Sequence, residues 1–120
     1  MPKVMVIEDD PTMLTLLVSL LEIEGFQVAH ADQHQTIDLV METVLKEQPG
    51  LLLLDIQLSN FSGFELLRKL RHGDENRNIR VLISSGRDVG HECFQEGADG
   101  FIMKPYMPEE LITKIYALLG

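Results

Sequence analysis

The sequence predicts an α/β domain built on a doubly wound parallel sheet with helices on both faces. Four short, almost wholly apolar runs alternate with segments of helical periodicity along the 120 residues. Strands that are covered on both faces have this composition, because neither face contacts water. Each run also ends in a polar residue, at the edge where such sheets bind ligands. The runs are Val4–Ile7, Leu51–Leu54, Val81–Ile83 and Phe101–Met103.

The first helix is predicted directly after the first strand. Asp10 suits its N-cap, Pro11 suits its first position and Gly25 suits its C-terminal cap. A short strand is expected next, over residues 26–31. The apolar face of the helix repeats with helical spacing, at Leu14, Leu17, Val18 and Leu21.

The two middle helices have clear boundary signals. The second helix is predicted over residues 34–47, and a Pro-Gly pair ends it before the leucine-rich strand. The third helix is predicted to begin near Gly63. Ser62 and Glu65 have the spacing of a capping box, in which each side chain binds the backbone amide of the other residue.

The last third of the chain predicts two more strand and helix pairs. A strand is expected over residues 79–85, followed by a short helix over residues 88–96 that Gly90 weakens. A tight turn over residues 97–100 leads into the fifth strand. Pro108 then opens the last helix.

Composition excludes several classes of protein. Hydrophobic residues make up 45% of the chain, which suits a packed core rather than a disordered chain. No apolar run approaches the ~20 residues that span a bilayer. No signal peptide is visible, so a single domain over residues 1–120 in the cytoplasm is expected, without a membrane partner. The single cysteine, Cys93, excludes an internal disulfide and is expected to be a buried apolar residue.

The charge of the chain also limits its partners. The net charge of −9 argues against direct nucleic acid binding by this domain. Divalent cations and basic surfaces are more plausible partners for so acidic a domain.

Three carboxylates are predicted to meet at the carboxyl edge of the sheet. Glu8 and Asp9 follow the first strand, and Asp55 follows the third. Carboxylates brought close together repel one another, and a bound cation removes that conflict. Oxygen ligands without His or Cys select a hard ion such as Mg²⁺. The alternative for this set is a group of solvated acids at the starts of loops.

The same edge carries a nucleophile and groups that can bind a phosphoryl group. Asp55 is fixed by the strand before it, and a carboxylate can attack phosphorus to give an acyl phosphate. Lys104 supplies a cation for phosphoryl oxygens, and at rest it can pair with Asp55. Ser85 is preferred as the hydroxyl donor over Ser84, because Gly86 leaves open space beside it.

These motifs together resemble the receiver domain of two-component response regulators, including the chemotaxis-type single-domain receivers. The resemblance covers essentially the whole chain, and the joint order and spacing are more specific than any one motif. It implies a flavodoxin-like fold with strand order 2-1-3-4-5. The matching segments are Val6–Pro11, Leu53–Ile56 with Gly63, Ile83–Gly86 and Gly97–Pro105.

The resemblance implies a role for each group at this edge. Asp55 becomes the phosphoacceptor, and Glu8 and Asp9 serve a Mg²⁺ site together with Asp55. The backbone carbonyl of Gln57 completes the protein ligands of the cation.

The resemblance also implies how the phosphoryl group is sensed. Ser85 and Lys104 are expected to contact it. Phe101, three residues before Lys104, stands where the family has its switch aromatic. Phosphorylation would draw Ser85 inward and let Phe101 follow, although Phe101 also suits the core of the fifth strand.

Several positions depart from the family pattern. Proline is usual where Ser59 stands, so this residue is expected to loosen the loop after Asp55. Aspartate is usual where Ser62 stands, but a serine still caps the helix. The segment 86–97 is short by a couple of residues, which affects the fourth helix. Gln57 and Arg87 lie where the family tunes the lifetime of the phosphoryl group.

The resulting functional prediction is a phosphorylation-driven switch. A sensor histidine kinase or phosphotransfer protein would phosphorylate Asp55 in a Mg²⁺-dependent reaction. The switch would then control a downstream protein or output domain, with a homodimer as one possible active form. The domain would catalyse only its own phosphorylation and dephosphorylation.

Three alternatives to this switch are open. The first is a phosphorylation-independent interaction module on the same fold. The second is an aspartyl phosphatase, which needs a second acid/base that Gln57 cannot supply. The third, a flavin-binding protein, is disfavoured by the acidic loop after the first strand.

Overall fold

A computed structural model of the chain describes residues 2–31, 35–73 and 78–120. It contains a five-stranded, all-parallel sheet with the strand order β2-β1-β3-β4-β5. The predicted fold class and strand order are therefore confirmed. The strands are β1 (Lys3–Ile7), β2 (Gln27–His30), β3 (Leu51–Asp55), β4 (Arg80–Ser85) and β5 (Gly100–Met103).

Helices cover both faces of this sheet. The sheet separates the core into two layers, one on each face. One layer lies under the second, third and fourth helices, and the other lies under the first and the fifth. Successive residues of β1 alternate between the two layers, so a strand buried on both faces has to be apolar throughout. The helices are α1 (Pro11–Ile23), α2 (Ile37–Glu47), α3 (Gly63–His72), α4 (Gly90–Gln95) and α5 (Pro108–Leu119).

The predicted helix caps are present. The Asp10 carboxylate accepts hydrogen bonds from the amides of Thr12 and Met13, at 2.9 and 3.3 Å, and Pro11 is the first residue of α1. Both hydrogen bonds of the capping box between Ser62 and Glu65 are formed at the start of α3. These side chains satisfy amides that have no partner within their helix.

Two helices are shorter than predicted. The predicted start of α2 at His34 lies outside the described residues. The helix begins at Ile37, because the Thr36 hydroxyl accepts a hydrogen bond from the Leu39 amide and acts as its cap. Helix α4 has only six residues, and Val89 at its N-cap makes no side-chain hydrogen bond.

Cys93 agrees with the prediction of a buried apolar residue. Cys93 is fully buried on α4, and burial raises the pKa of its thiol to about 11. Within the described parts of the chain, none of the helices has both the length and the apolar character needed to cross a membrane.

Candidate functional site

The parallel sheet brings the predicted polar residues together at its carboxyl edge. Glu8 follows β1, Asp55 ends β3, Ser85 ends β4 and Lys104 follows β5. The strand order places these four ends side by side. Glu8 and Asp55 are only 4% and 6% exposed, although both are carboxylic acids. Burial of acids at this level requires charged or hydrogen-bonding partners.

Lys104 is the cation that joins these acids. Its Nζ donates to Glu8 Oε1 at 2.8 Å and to Asp55 Oδ2 at 3.3 Å. The second oxygen of Glu8 accepts from the amides of Asp9 and Asp10, at 2.8 and 3.3 Å. Glu8 is therefore engaged through both oxygens, whereas its neighbour Asp55 has the longer contact with the ammonium.

One ammonium does not balance two buried carboxylates. Burial and then the nearby charge of Glu8 raise the pKa of Asp55 to about 6, although Lys104 and the Gln57 amide act in the opposite direction. Burial alone would lower the pKa of Lys104, but the hydrogen bond to Glu8 and the charge of Asp55 outweigh it, and the net pKa is raised. The site is therefore short of positive charge.

Asp9 has one carboxylate oxygen in use and one without a partner. Its Oδ2 accepts a hydrogen bond from the hydroxyl of Ser59, in the loop after β3. Its Oδ1 is buried and has no hydrogen-bond partner among the described residues. A buried anionic oxygen of this kind is a suitable ligand for a hard cation.

The donor set fits Mg²⁺, and the three acids differ in whether they are available to bind it. In the described part of the chain, no three His, Cys, Asp or Glu side chains are arranged to hold a metal by themselves. Glu8 is turned toward Lys104 and two backbone amides. Asp9 and Asp55 remain, and Mg²⁺ usually takes one or two carboxylates and keeps several waters. The Gln57 amide donates to Asp55 Oδ1 at 3.2 Å, which places the Gln57 backbone beside Asp55.

The two adjacent serines of β4 have different surroundings. Adjacent strand residues point to opposite faces of a sheet, so only one of them can face a given side of the site. Ser85 lines a cavity of about 460 Å³ together with Gln57 and Arg87, and Ser84 does not. A Cβ atom placed on Gly86 would meet nothing within 4 Å, which agrees with the open space expected there.

Phe101 lies under the start of α4. Its ring is half-buried and packs against the core layer of α2, α3 and α4. A Cβ atom on Gly90 would lie 3.1 Å from this ring, so the glycine permits the close approach of helix and ring. Phe101 is thus a core residue in contact with the first turn of α4, and its role as a switch stays a prediction.

Gly63 allows α3 to pack closely behind the site. A Cβ atom at this position would lie 2.5 Å from the carbonyl oxygen of Asp55 and 2.9 Å from the Cα of Ile56. Any other residue would displace the backbone that carries Asp55. This contact gives a physical reason for the glycine in the third-strand motif.

Sequence reasoning missed two features near the site. It treated Ser59 as a loop residue only and did not foresee its contact with Asp9. It also overlooked Tyr106, whose hydroxyl is buried without a partner among the described residues. Burial raises the pKa of Tyr106 to about 12. Its position just after Lys104 was the signal available in the sequence.

Comparison with known proteins identifies the family. The sequence profile described as the response regulator receiver domain matches residues 4–116. The chain belongs to this family. Receiver domains are the switches of two-component signalling, in which phosphorylation controls an output. The predicted family is therefore confirmed.

Two relatives show how much of a longer protein this receiver domain matches. The transcriptional regulatory protein CpxR of Escherichia coli is 34% identical over 121 residues, which are 99% of this chain and 50% of CpxR. The phosphate regulon regulator PhoB of Rhizobium meliloti is 32% identical over 122 residues, which are 99% of this chain and 52% of PhoB. The chain thus spans about half the length of these relatives.

A solved structure supports the same assignment. The CheY-like receiver domain protein from Methanospirillum hungatei superimposes with a TM-score of 0.87 at 28% identity. The match covers 99% of this chain and 94% of the other. The receiver domain therefore shares its fold with an experimentally determined member of the family.

Proposed function

We propose that this receiver domain accepts a phosphoryl group on Asp55 from a phosphohistidine of a sensor histidine kinase or phosphotransfer protein. The observation that carries the proposal is the buried Asp55 carboxylate at the end of β3, in contact with the Lys104 ammonium. The strand fixes the carboxylate, and the 3.3 Å contact supplies a cation that can move to an incoming phosphoryl oxygen.

The transfer is a substitution at phosphorus. An oxygen of Asp55 forms the new P–O bond while the P–N bond to the donor imidazole breaks. The bonding pair leaves with the imidazole nitrogen, which takes up a proton. Lys104 then neutralises a phosphoryl oxygen, and the Ser85 hydroxyl donates to another. Attack of water on the same phosphorus returns free Asp55 and inorganic phosphate, so the domain acts only on its own phosphoryl group.

Mg²⁺ is the proposed cofactor, held by Asp9, Asp55 and the backbone carbonyl of Gln57. When bound, the cation offsets the negative charge that the phosphoryl group brings to this acidic edge. Glu8 contributes by fixing the Asp9 amide and by holding Lys104 between the two carboxylates.

The proposed output passes from Ser85 through Phe101 to α4. Ser85 moves toward the phosphoryl group, Phe101 occupies the space this leaves, and α4 follows because its first turn rests on the ring. The partner is a downstream protein or an output domain, and a homodimer is one active form. Residues 1–120 would work as one domain in the cytoplasm without contacting nucleic acid directly.

The test is phosphorylation with acetyl phosphate in the presence and absence of Mg²⁺, followed by intact-mass measurement. The unchanged chain is expected to gain one phosphoryl group only with Mg²⁺. Asp55→Asn should gain none, since the nucleophile is removed, whereas Asp88→Asn should behave like the unchanged chain because this nearby acid is exposed. A mass gain that survives in Asp55→Asn, or no gain in the unchanged chain, overturns the proposal.

A further inference from the structure

The contact between Ser59 and Asp9 joins two distant parts of the chain. Ser59 lies in the loop between β3 and α3, fifty residues after Asp9. Its hydroxyl is the donor, since the carboxylate of Asp9 can only accept. The contact therefore ties the loop after the acceptor Asp55 to the loop after β1.

Asp9 is held at two points and left free at a third. Glu8 Oε2 accepts from the Asp9 backbone amide at 2.8 Å, which fixes the main chain. Ser59 occupies Asp9 Oδ2, which fixes the rotation of the carboxylate. The third point is the buried Oδ1, which has no partner in the described part of the chain. A single oxygen is thus presented in a defined direction.

This arrangement is typical of a metal ligand with its supporting partner. Groups that hydrogen-bond a ligating side chain set its orientation, and their loss typically weakens metal binding by about 10- to 100-fold. A carboxylate that also has to stop rotating when a cation arrives binds that cation less tightly.

We infer that Ser59 is a positioning residue for the cation, holding Asp9 so that Oδ1 faces the metal. This rests on the Mg²⁺ site of the proposed function. It also implies that cation binding and the order of the β3–α3 loop are coupled, because each restrains the same carboxylate.

A merely structural hydrogen bond would have a different signature. Ser59 is exposed, and an exposed hydrogen bond adds little to the free energy of folding. A structural role would therefore change neither the affinity for Mg²⁺ nor its dependence on Asp9. Metal affinity, measured without any phosphodonor, separates the two roles.

The experiment is a Mg²⁺ titration of the whole chain followed by the amide resonances of the site in NMR spectra. Ser59→Ala should raise the Kd for Mg²⁺ about 10-fold, because Asp9 is no longer oriented. Ser59→Thr keeps the hydroxyl and should restore the affinity. The matched control is Ser19→Ala, an exposed serine on α1 that should leave the Kd unchanged.

Asp9→Asn completes a double-mutant cycle. In the Asp9→Asn background, Ser59→Ala should have no further effect on the Kd, because Ser59 acts through the Asp9 carboxylate. An unchanged Kd in Ser59→Ala, independent additive effects in the cycle, or no Mg²⁺ binding by the unchanged chain would overturn the inference.

The outcomes remain separate from those of the proposed function. If the unchanged chain is phosphorylated on Asp55 with Mg²⁺ while Ser59→Ala binds the cation normally, only the role of Ser59 fails. If the unchanged chain binds Mg²⁺ and depends on Ser59 but gains no phosphoryl group, only the phosphoacceptor proposal fails.

Discussion

Two clusters of charged side chains lie at opposite edges of the sheet, and they differ in how fully their hydrogen bonds are made. At the amino edge, Arg71 donates to the carbonyls of Gly97 and Ile79 at 2.9 and 3.0 Å and to Asp99 at 2.8 Å. The same Asp99 oxygen also accepts from the Val81 amide at 2.8 Å. This cluster pins the end of α3 to the starts of β4 and β5.

At the carboxyl edge the charges are less well matched. Lys104 is shared by Glu8 and Asp55, Asp9 has a buried oxygen without a partner in the described residues, and the pKa of Asp55 is raised. Buried polar groups that lack a full set of hydrogen bonds or a matching charge reduce the stability of the fold. The comparison indicates that the amino edge holds the domain together, whereas the carboxyl edge keeps unmatched groups, where we propose that a cation and a phosphoryl group bind.

The largest effect is expected from breaking the amino edge. Arg71→Ala removes the charged partner of the Asp99 carboxylate and a donor to two carbonyls, and it should lower the free energy of unfolding by about 2–4 kcal/mol. Urea denaturation followed by circular dichroism measures this loss. Arg68→Ala is the matched control, since its pair with Glu96 is exposed and should contribute less than about 1 kcal/mol. Equal losses in the two variants would contradict the role given to Arg71.

The second prediction concerns Asp55→Asn, a substitution that relieves the charge imbalance at the carboxyl edge. Burial and the charge of Glu8 raise the pKa of Asp55 in the folded chain to about 6, from the ordinary value of 3.8 expected for an unfolded chain. Between these values the unfolded state binds fewer protons, so folding stability falls as the pH rises from about 4 to 6 and stays reduced above. Asp55→Asn removes this penalty and should be more stable than the unchanged chain by about 2–3 kcal/mol at pH 8.

The measurement is a series of urea denaturation curves from pH 4 to pH 8 in buffers containing a metal chelator. The difference between Asp55→Asn and the unchanged chain should grow through the window between the two pKa values and then level off. Asp38→Asn is the control, because Asp38 is 85% exposed. A difference that is constant with pH would show that burial of Asp55 does not limit stability.

The smallest effect is expected at Tyr106. Tyr106→Phe removes a buried hydroxyl that has no partner in the described residues, so it should leave stability unchanged or raise it by up to about 1 kcal/mol. Thermal unfolding measures the change, with Tyr116→Phe as the control, since that hydroxyl is near Glu24 at the surface. A clear loss of stability in Tyr106→Phe would mean that its hydroxyl makes a bond in solution.

Local signals in the sequence predicted most of the framework. Every residue of the leucine run before Asp55 is apolar because both faces of that strand are covered by helices. This pattern is visible in the sequence alone. Asp10 and Ser62 lie within three residues of the amides they cap, so their role is also local. Because the sheet was predicted to be parallel, the polar residues at the strand ends were expected at one edge of it.

The remaining features depend on contacts between distant residues. Ser59 and Asp9 are fifty residues apart, and no periodicity relates them. No sequence pattern pairs Arg71 with Asp99, which are 28 residues apart, but the fold brings them into a salt bridge. The pKa of Asp55 likewise depends on burial and on Glu8, which only the assembled sheet determines.

The shortness of α4 gives this helix an unusual dependence on its neighbours. Six residues without a side-chain cap form too few internal hydrogen bonds to offset the entropy of ordering them. Its order therefore derives from Cys93 in the core and from the Phe101 ring beneath its first turn. In terms of local unfolding, α4 has little free energy of its own, so we expect its order to depend on how the Phe101 ring packs beneath it.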